Sequence, residues 1–169
     1  MTSSKYISTG AEISACGLYR YSLHRAWDEV HLNTVNFVML NPSTADGAQE
    51  DATIRRCVGF ARSCGYGALV VTNLFAYRST NPNGLLTAHD PIGPDNDQHL
   101  KTWASIAGPT IFGWGAHTFA TERSRAVYEM LRQYNPQCLR LTKSGAPAHP
   151  LYLPGNLKPV RFEATSEKP

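Results

Sequence analysis

Long apolar runs, paired cysteines and clustered lysines are all missing from this sequence. No segment approaches the ~20 consecutive apolar residues that a membrane-spanning helix needs. The opening Met1 to Tyr6 carries no apolar stretch of signal type, so the expectation is a cytoplasmic protein with no membrane partner. The four cysteines, Cys16, Cys57, Cys64 and Cys138, form no CxxC pair. Neither a zinc ribbon nor a disulfide framework is indicated, and reduced thiols are expected. His24, His31, His89 and His99 lack the spacing of metal ligands, and no Gly-x-Ser-x-Gly, phosphate-loop or dinucleotide fingerprint occurs. No metal and no cofactor are therefore expected. Charge is also sparse, with 17% ionic residues and a net +3, which permits nucleic acid without requiring it. Within that small charge, five lysines stand against eleven arginines. Arginine is the residue that makes planar bidentate contacts to phosphates and base edges.

What is present is a globular composition, 42% apolar over 169 residues, the size of one domain. No repeat or low-complexity tract divides it, so residues 1–169 read as a single domain. Leu18 to Arg25 alternates like a strand. Val35 to Leu40 is an apolar run of strand formers that stops at Asn41-Pro42, as a buried central strand does. Asp51 to Arg62 places Ile54, Cys57, Val58 and Ala61 on one helical face, with Asp51 as the cap and Gly65 as the stop. Ala68 to Leu74, Thr110 to Trp114 and Cys138 to Leu141 read as further strands, and Asp95 to Ala107 and Thr118 to Tyr134 as helices. Asp95 to Asp97 is most simply a cap. Strand and helix in alternation predict an α/β fold with a parallel sheet covered on both faces.

Ligands of such sheets sit beyond the carboxyl ends of the strands. Four segments qualify here: Asn41 to Asp46, Asn73 to Pro82, Gly113 to His117, and the stretch from Ala148 to Pro154. Pro42 makes the exit at Asn41 rigid, and an amide held that way can orient a water. Ser43 and Thr44 offer donors to an anion at a loop-to-helix entry. Asn41, Ser43 and Asp46 equally suit an Asx-type turn and cap. Asp46 and Asp51 are candidate acids or bases near the rim. His149, before Pro150, can donate a hydrogen bond to a leaving group as it becomes anionic, or can be a surface histidine in a proline-rich loop. Asn73 and Arg78 flank Phe75 and Tyr77, a grouping that can stack a base and read its edge. Phe75 also suits packing, Trp114 suits either a pocket wall or the core, and Arg55 and Arg56 suit either phosphate or solvent.

The ordered set Leu40 to Asp46, Asp51 to Thr53, Arg56-Cys57, Asn73 to Arg78 with Thr80 and Pro82, Gly113 to Gly115, and His149-Pro150 resembles a bacterial and phage family known only as a domain of unknown function, across residues 17 to 162. The same order resembles, more distantly, the uracil-DNA glycosylase superfamily. Asn41-Pro42 is similar to the Asn-Pro entry of its mismatch-specific branch, and His149-Pro150 to the start of its His-Pro-Ser motif. That resemblance implies a three-layer α/β/α sandwich with a short, mainly parallel sheet, acting on DNA or a nucleotide. Asn41 would orient the attacking water and His149 would stabilise the departing base anion, such help being worth ~3 kcal/mol per donor. Asn73 would contact the base edge and Phe75 or Trp114 would stack it, on a base flipped out of a duplex or already single-stranded. Two other classes stay open: a non-catalytic domain binding a base or nucleotide in the same pocket, and a different nucleotide hydrolase using Asp46 or Asp51.

Overall fold

Each of the strongest apolar runs becomes a strand, because a segment with side chains buried on both faces of a sheet must be apolar along its whole length. The computed structural model describes residues 5–43 and 51–164. Its strands are β1 (Ser8–Ile13), β2 (Arg20–Ala26), β3 (Thr34–Met39), β4 (Ala68–Asn73), β5 (Thr110–Phe112), β6 (Gln137–Cys138) and β7 (Val160–Arg161). Three α-helices, α1 (Ala52–Ser63), α2 (Asn96–Ile106) and α3 (Thr121–Leu131), connect the middle strands. The order across the sheet is β1-β2-β4-β3-β5-β6-β7. Strands β4, β3, β5 and β6 run parallel, whereas β1, β2 and β7 are antiparallel to their neighbours.

The fold is α/β as expected, but its sheet is larger and more mixed than the expected short, mainly parallel one. Helical crossovers predict parallel neighbours only where a helix intervenes. β2 has none on either side: it joins β1 by a turn at Ser14–Tyr19, with Gly17 at φ +76°, and pairs antiparallel with β4. β1 and β7 were not expected at all. Ser8–Ile13 is half polar and mostly exposed, an edge strand held by its hairpin partner, and β7 spans two residues. Neither carries a periodic signal.

Alternation along β3 builds the two sides of the core. Val35, Phe37 and Met39 join Ile54, Cys57, Val58, Phe60 and Ala61 of α1. Val38 and Leu40 join Leu100 and Ala104 of α2 and Val127 and Leu131 of α3. Full burial of each large apolar side chain contributes roughly 1.5–3 kcal/mol. Within the second cluster's face, Asn36 donates to Thr110 Oγ1 at 3.4 Å and accepts from Thr72 Oγ1 at 3.1 Å. This ladder ties β5, β3 and β4 in register, because a slip would leave its buried polar groups unpaired.

Helix α1 starts where the sequence indicates. The Asp51 carboxylate accepts the Ile54 N–H at 2.8 Å, and Gly65, at φ +80°, ends the helix with its N–H bonded to the Arg62 carbonyl. Asp95 occupies the cap position of α2 but makes no side-chain cap bond. Its neighbour Asn96 instead turns inward, with Nδ2 donating to the carbonyls of both Asn73 and Leu74 at 3.0 Å. Arg123 of α3 adds a bond from Nε to the Leu74 carbonyl at 2.8 Å and pairs with Asp97 at 2.6 Å. The chain leaving β4 is thus clamped by two helices.

Candidate active site

A cavity of about 650 Å³ opens at the carboxyl ends of β3 and β4. Met39, Leu40, Ile54 and Val71 supply apolar wall, and four loop segments bring polar groups to it. Of the residues singled out from sequence, Asn41, Ser43, Asn73, Asp51 and His149 line this one cavity.

Asn41 is held by its amide nitrogen, which donates to the Ser79 carbonyl at 2.8 Å and to the Pro42 carbonyl at 3.0 Å. With both amide hydrogens engaged, what Asn41 has left to offer is an acceptor, Oδ1. Pro42 is buried behind it and does not line the cavity; its carbonyl also accepts the Ser79 N–H at 2.9 Å. The Ser43 hydroxyl donates to Asp51 Oδ2 at 3.1 Å, and Asp51 Oδ1 caps α1, so both carboxylate oxygens are engaged.

Asn73 is 2% exposed, and its side-chain Nδ2 has no hydrogen-bond partner among the described residues. An unmade buried hydrogen bond costs roughly 1–3 kcal/mol. Its backbone cannot swing away to relieve this, because Asn96 and Arg123 hold the adjoining carbonyls. The sheet therefore holds a fixed, unsatisfied donor within a residue that lines the cavity.

His149 caps a short 3-10 turn, Pro150–Tyr152, by accepting the Leu151 N–H on Nδ1 at 3.2 Å. An Nδ1 that accepts carries no proton, so the neutral ring holds its hydrogen on Nε2 and is a donor there. Burial pushes the pKa of His149 below the usual imidazole range, the nearby His117 pushes it the same way, and Asp51 opposes them. Burial also lowers His117. The two rings flank Gly115, whose φ of +80° allows the tight turn; a Cβ there would stand 3.6 Å from both the His117 ring and the His149 Cβ.

Both histidines are expected to titrate below the ordinary 6.5 when followed by NMR of their ring Cε1–H groups. The unfolded chain takes up these protons near 6.5, and the folded chain only below its lowered pKa. Stability is thus unaffected by these groups above 6.5 and falls as pH drops from 6.5 toward the folded values. A His149 midpoint at or above 6.5 would contradict its half-buried, neutral placement.

Other expected site residues lie elsewhere. Phe75 is buried in the second core cluster beside Phe119, ring centroids 6.3 Å apart. Trp114 packs on Phe112 and Phe162 at 4.4 and 6.2 Å and borders a smaller adjoining groove, not this cavity. Arg78 donates to the Gly17 carbonyl, and Arg55 is exposed on α1. Arg56 does not line the cavity: its guanidinium donates to the carbonyls of Pro150 and Leu153, bracing the turn that begins at His149. Thr44 and Asp46 lie outside the described residues.

Among the cavity residues not singled out from the sequence are Arg20, His117 and Tyr152. Tyr152 is 84% exposed, with its ring 6.0 Å from His149, and so is the accessible aromatic that Phe75 and Trp114 are not. His117 closes a loop already marked by its place after β5. Arg20 begins a strand whose direction the sequence does not reveal.

Fold and site together define an α/β protein with a cavity of about 650 Å³ at the carboxyl rim of its parallel strands, apolar-walled and carrying several polar side chains. Residues 20–151 match the family described as "Protein of unknown function (DUF1643)", and the chain belongs to that family. No curated protein and no solved structure matches it. Among the described residues, no helix is long and apolar enough to cross a membrane.

Proposed function

We propose that this cavity hydrolyses the N-glycosidic bond of a base in DNA or in a nucleotide, in a cytoplasmic protein whose fold is a three-layer α/β/α sandwich of the uracil-DNA glycosylase kind. The observation that carries the reading is the buried Asn73 amide, its Nδ2 unpartnered in the same cavity as Asn41 and His149. A base carbonyl is the kind of acceptor that would satisfy it. The core clusters of α1 on one side of β3 and of α2 and α3 on the other support the sandwich.

In this reading Asn41 Oδ1 accepts a hydrogen bond from water and aims its oxygen at the anomeric carbon. As the new C–O bond forms, the C–N bond breaks and its electron pair moves onto the base. The Nε2–H of His149 donates to the base as it becomes anionic, which stabilises the charge where it develops. Asn73 reads the base edge, Ser43 faces the sugar-phosphate side, and Asp46 is the candidate proton acceptor. Tyr152 takes the stacking role first assigned to Phe75 or Trp114. A cavity of about 650 Å³ takes one extruded nucleoside, as enzymes that act on a base require.

One observation favours the alternative of a non-catalytic base- or nucleotide-binding domain: the carboxylate of Asp51 is engaged on both oxygens and is poorly placed to take a proton from water. The two readings separate in one experiment. Wild-type protein is incubated in excess with single-stranded and duplex oligonucleotides, each carrying one modified or mismatched base, and abasic sites and released base are measured. Release from at least one substrate, lost in Asn41→Ala and in Asn73→Ala, is expected. Saturable base binding with no abasic product would establish the binding module instead.

A further inference from the structure

Base release makes no use of an arginine in the cavity wall. Arg20, at the start of β2, is 3% exposed yet lines the cavity. Because β2 runs antiparallel to β4, its first residue arrives at the rim where β3 and β4 end, and the Arg20 N–H bonds the Ala76 carbonyl at 2.9 Å. A guanidinium brought into a cavity wall by the strand itself has little freedom to leave.

Among the described residues, charges of both signs act on Arg20. Asp51 attracts Arg20, while Arg78 and Arg25 repel it. Asp51 is shared with Ser43 and with the start of α1. Arg78 and Arg25 do not line the cavity but add positive potential behind it. Burial lowers Arg20 to about 10, which leaves it charged at neutral pH. Fixed, planar and multiply donating, a guanidinium in such a wall is matched to the oxygens of a phosphate. Thr80 and Ser79, on the loop after β4, line the same cavity.

We propose that Arg20 is the centre of a phosphate subsite in this cavity, beside the position of a base held by Asn73. The phosphate is either the monoester of a mononucleotide or the backbone diester of a strand. The inference rests on the reading that a nucleotide occupies the cavity, and it does not need the glycosidic bond to be cut.

The test is calorimetric titration of the whole chain with inorganic phosphate, the common nucleosides, their 5′-monophosphates and the matching dinucleotides. At least one nucleotide is expected to bind about tenfold or more tightly than its nucleoside. Arg20→Gln should remove that preference while leaving nucleoside affinity unchanged, and Arg20→Lys should keep part of it. Monophosphates binding best would identify a free nucleotide as the source, and dinucleotides a strand. Equal affinity for nucleoside and nucleotide in wild type, absence of binding by any phosphate compound, or equal loss of both ligands in Arg20→Gln would overturn the subsite. Should Arg20→Gln fail to fold, the Arg20 Nε–H signal of the wild-type protein, assigned through Arg20→Lys, must shift on adding inorganic phosphate; an unmoved signal overturns the proposal. Phosphate-dependent binding without base release would sink the hydrolytic reading alone, and base release without phosphate preference would sink this one alone.

Discussion

Replacing His149 with alanine is expected to slow base release by roughly 10²–10³-fold, the cost of removing one preorganised donor to a developing anion. Two neighbouring variants separate the donor from the cap. His149 does two things with its two nitrogens: Nδ1 accepts the Leu151 N–H, which leaves Nε2–H as the donor. Asparagine places an acceptor near Nδ1 but falls short of Nε2, whereas glutamine reaches Nε2 and caps poorly. His149→Asn should therefore keep the stability of wild type without its activity. His149→Gln should recover part of the activity while losing about 1 kcal/mol of stability, as cap removal does. Single-turnover release and urea unfolding on the three variants decide the matter. Activity that follows stability across the series would make His149 a structural cap alone.

The second large effect is on stability. Phe112 is fully buried at the end of β5, with its ring 4.4 Å from Trp114 and 5.4 Å from Phe162. Truncation to alanine leaves a cavity beside the two remaining rings, Trp114 and Phe162, that cannot collapse inward, because β3 and β6 fix the strand on both sides. The expected loss is about 3–5 kcal/mol. Against a typical total of roughly 5–15 kcal/mol, that brings the protein close to unfolding. The same residue precedes the loop from Gly113 to His117, so nucleoside affinity should weaken with it. Urea unfolding of Phe112→Ala measures the first effect. A loss below about 1 kcal/mol would mean that the cluster relaxes around the gap.

Much of the frame is legible without a structure. The apolar runs at Val35 and Ala68 become buried strands, and Ile54, Cys57, Val58 and Ala61 do form the inward face of α1 behind its Asp51 cap. These features are local: a period, a cap residue and a glycine stop each act within a few residues of chain. Less legible is what several side chains do. Arg56 has the composition of a phosphate ligand, but the turn at Pro150 lies within its reach and has carbonyls to satisfy. Phe75 and Trp114 sit in loops and still fold back into the core, since large aromatic surface is driven from water wherever a cluster can receive it.

The sequence by itself determined the α/β class, the rim loops, and the choice of Asn41, Asn73 and His149 as the residues to watch, because those follow from hydrophobic period and from the exits of apolar strands. Only the tertiary structure decided that those three line one cavity, that the Asn73 donor has no partner among the described residues, and that Arg20 joins them. The physical reason is strand direction. A run of alternating residues says that a strand exists, but not which way it runs in the sheet. The antiparallel pairing of β2 with β4 carries an arginine to the functional rim that a parallel strand would have left at the opposite edge.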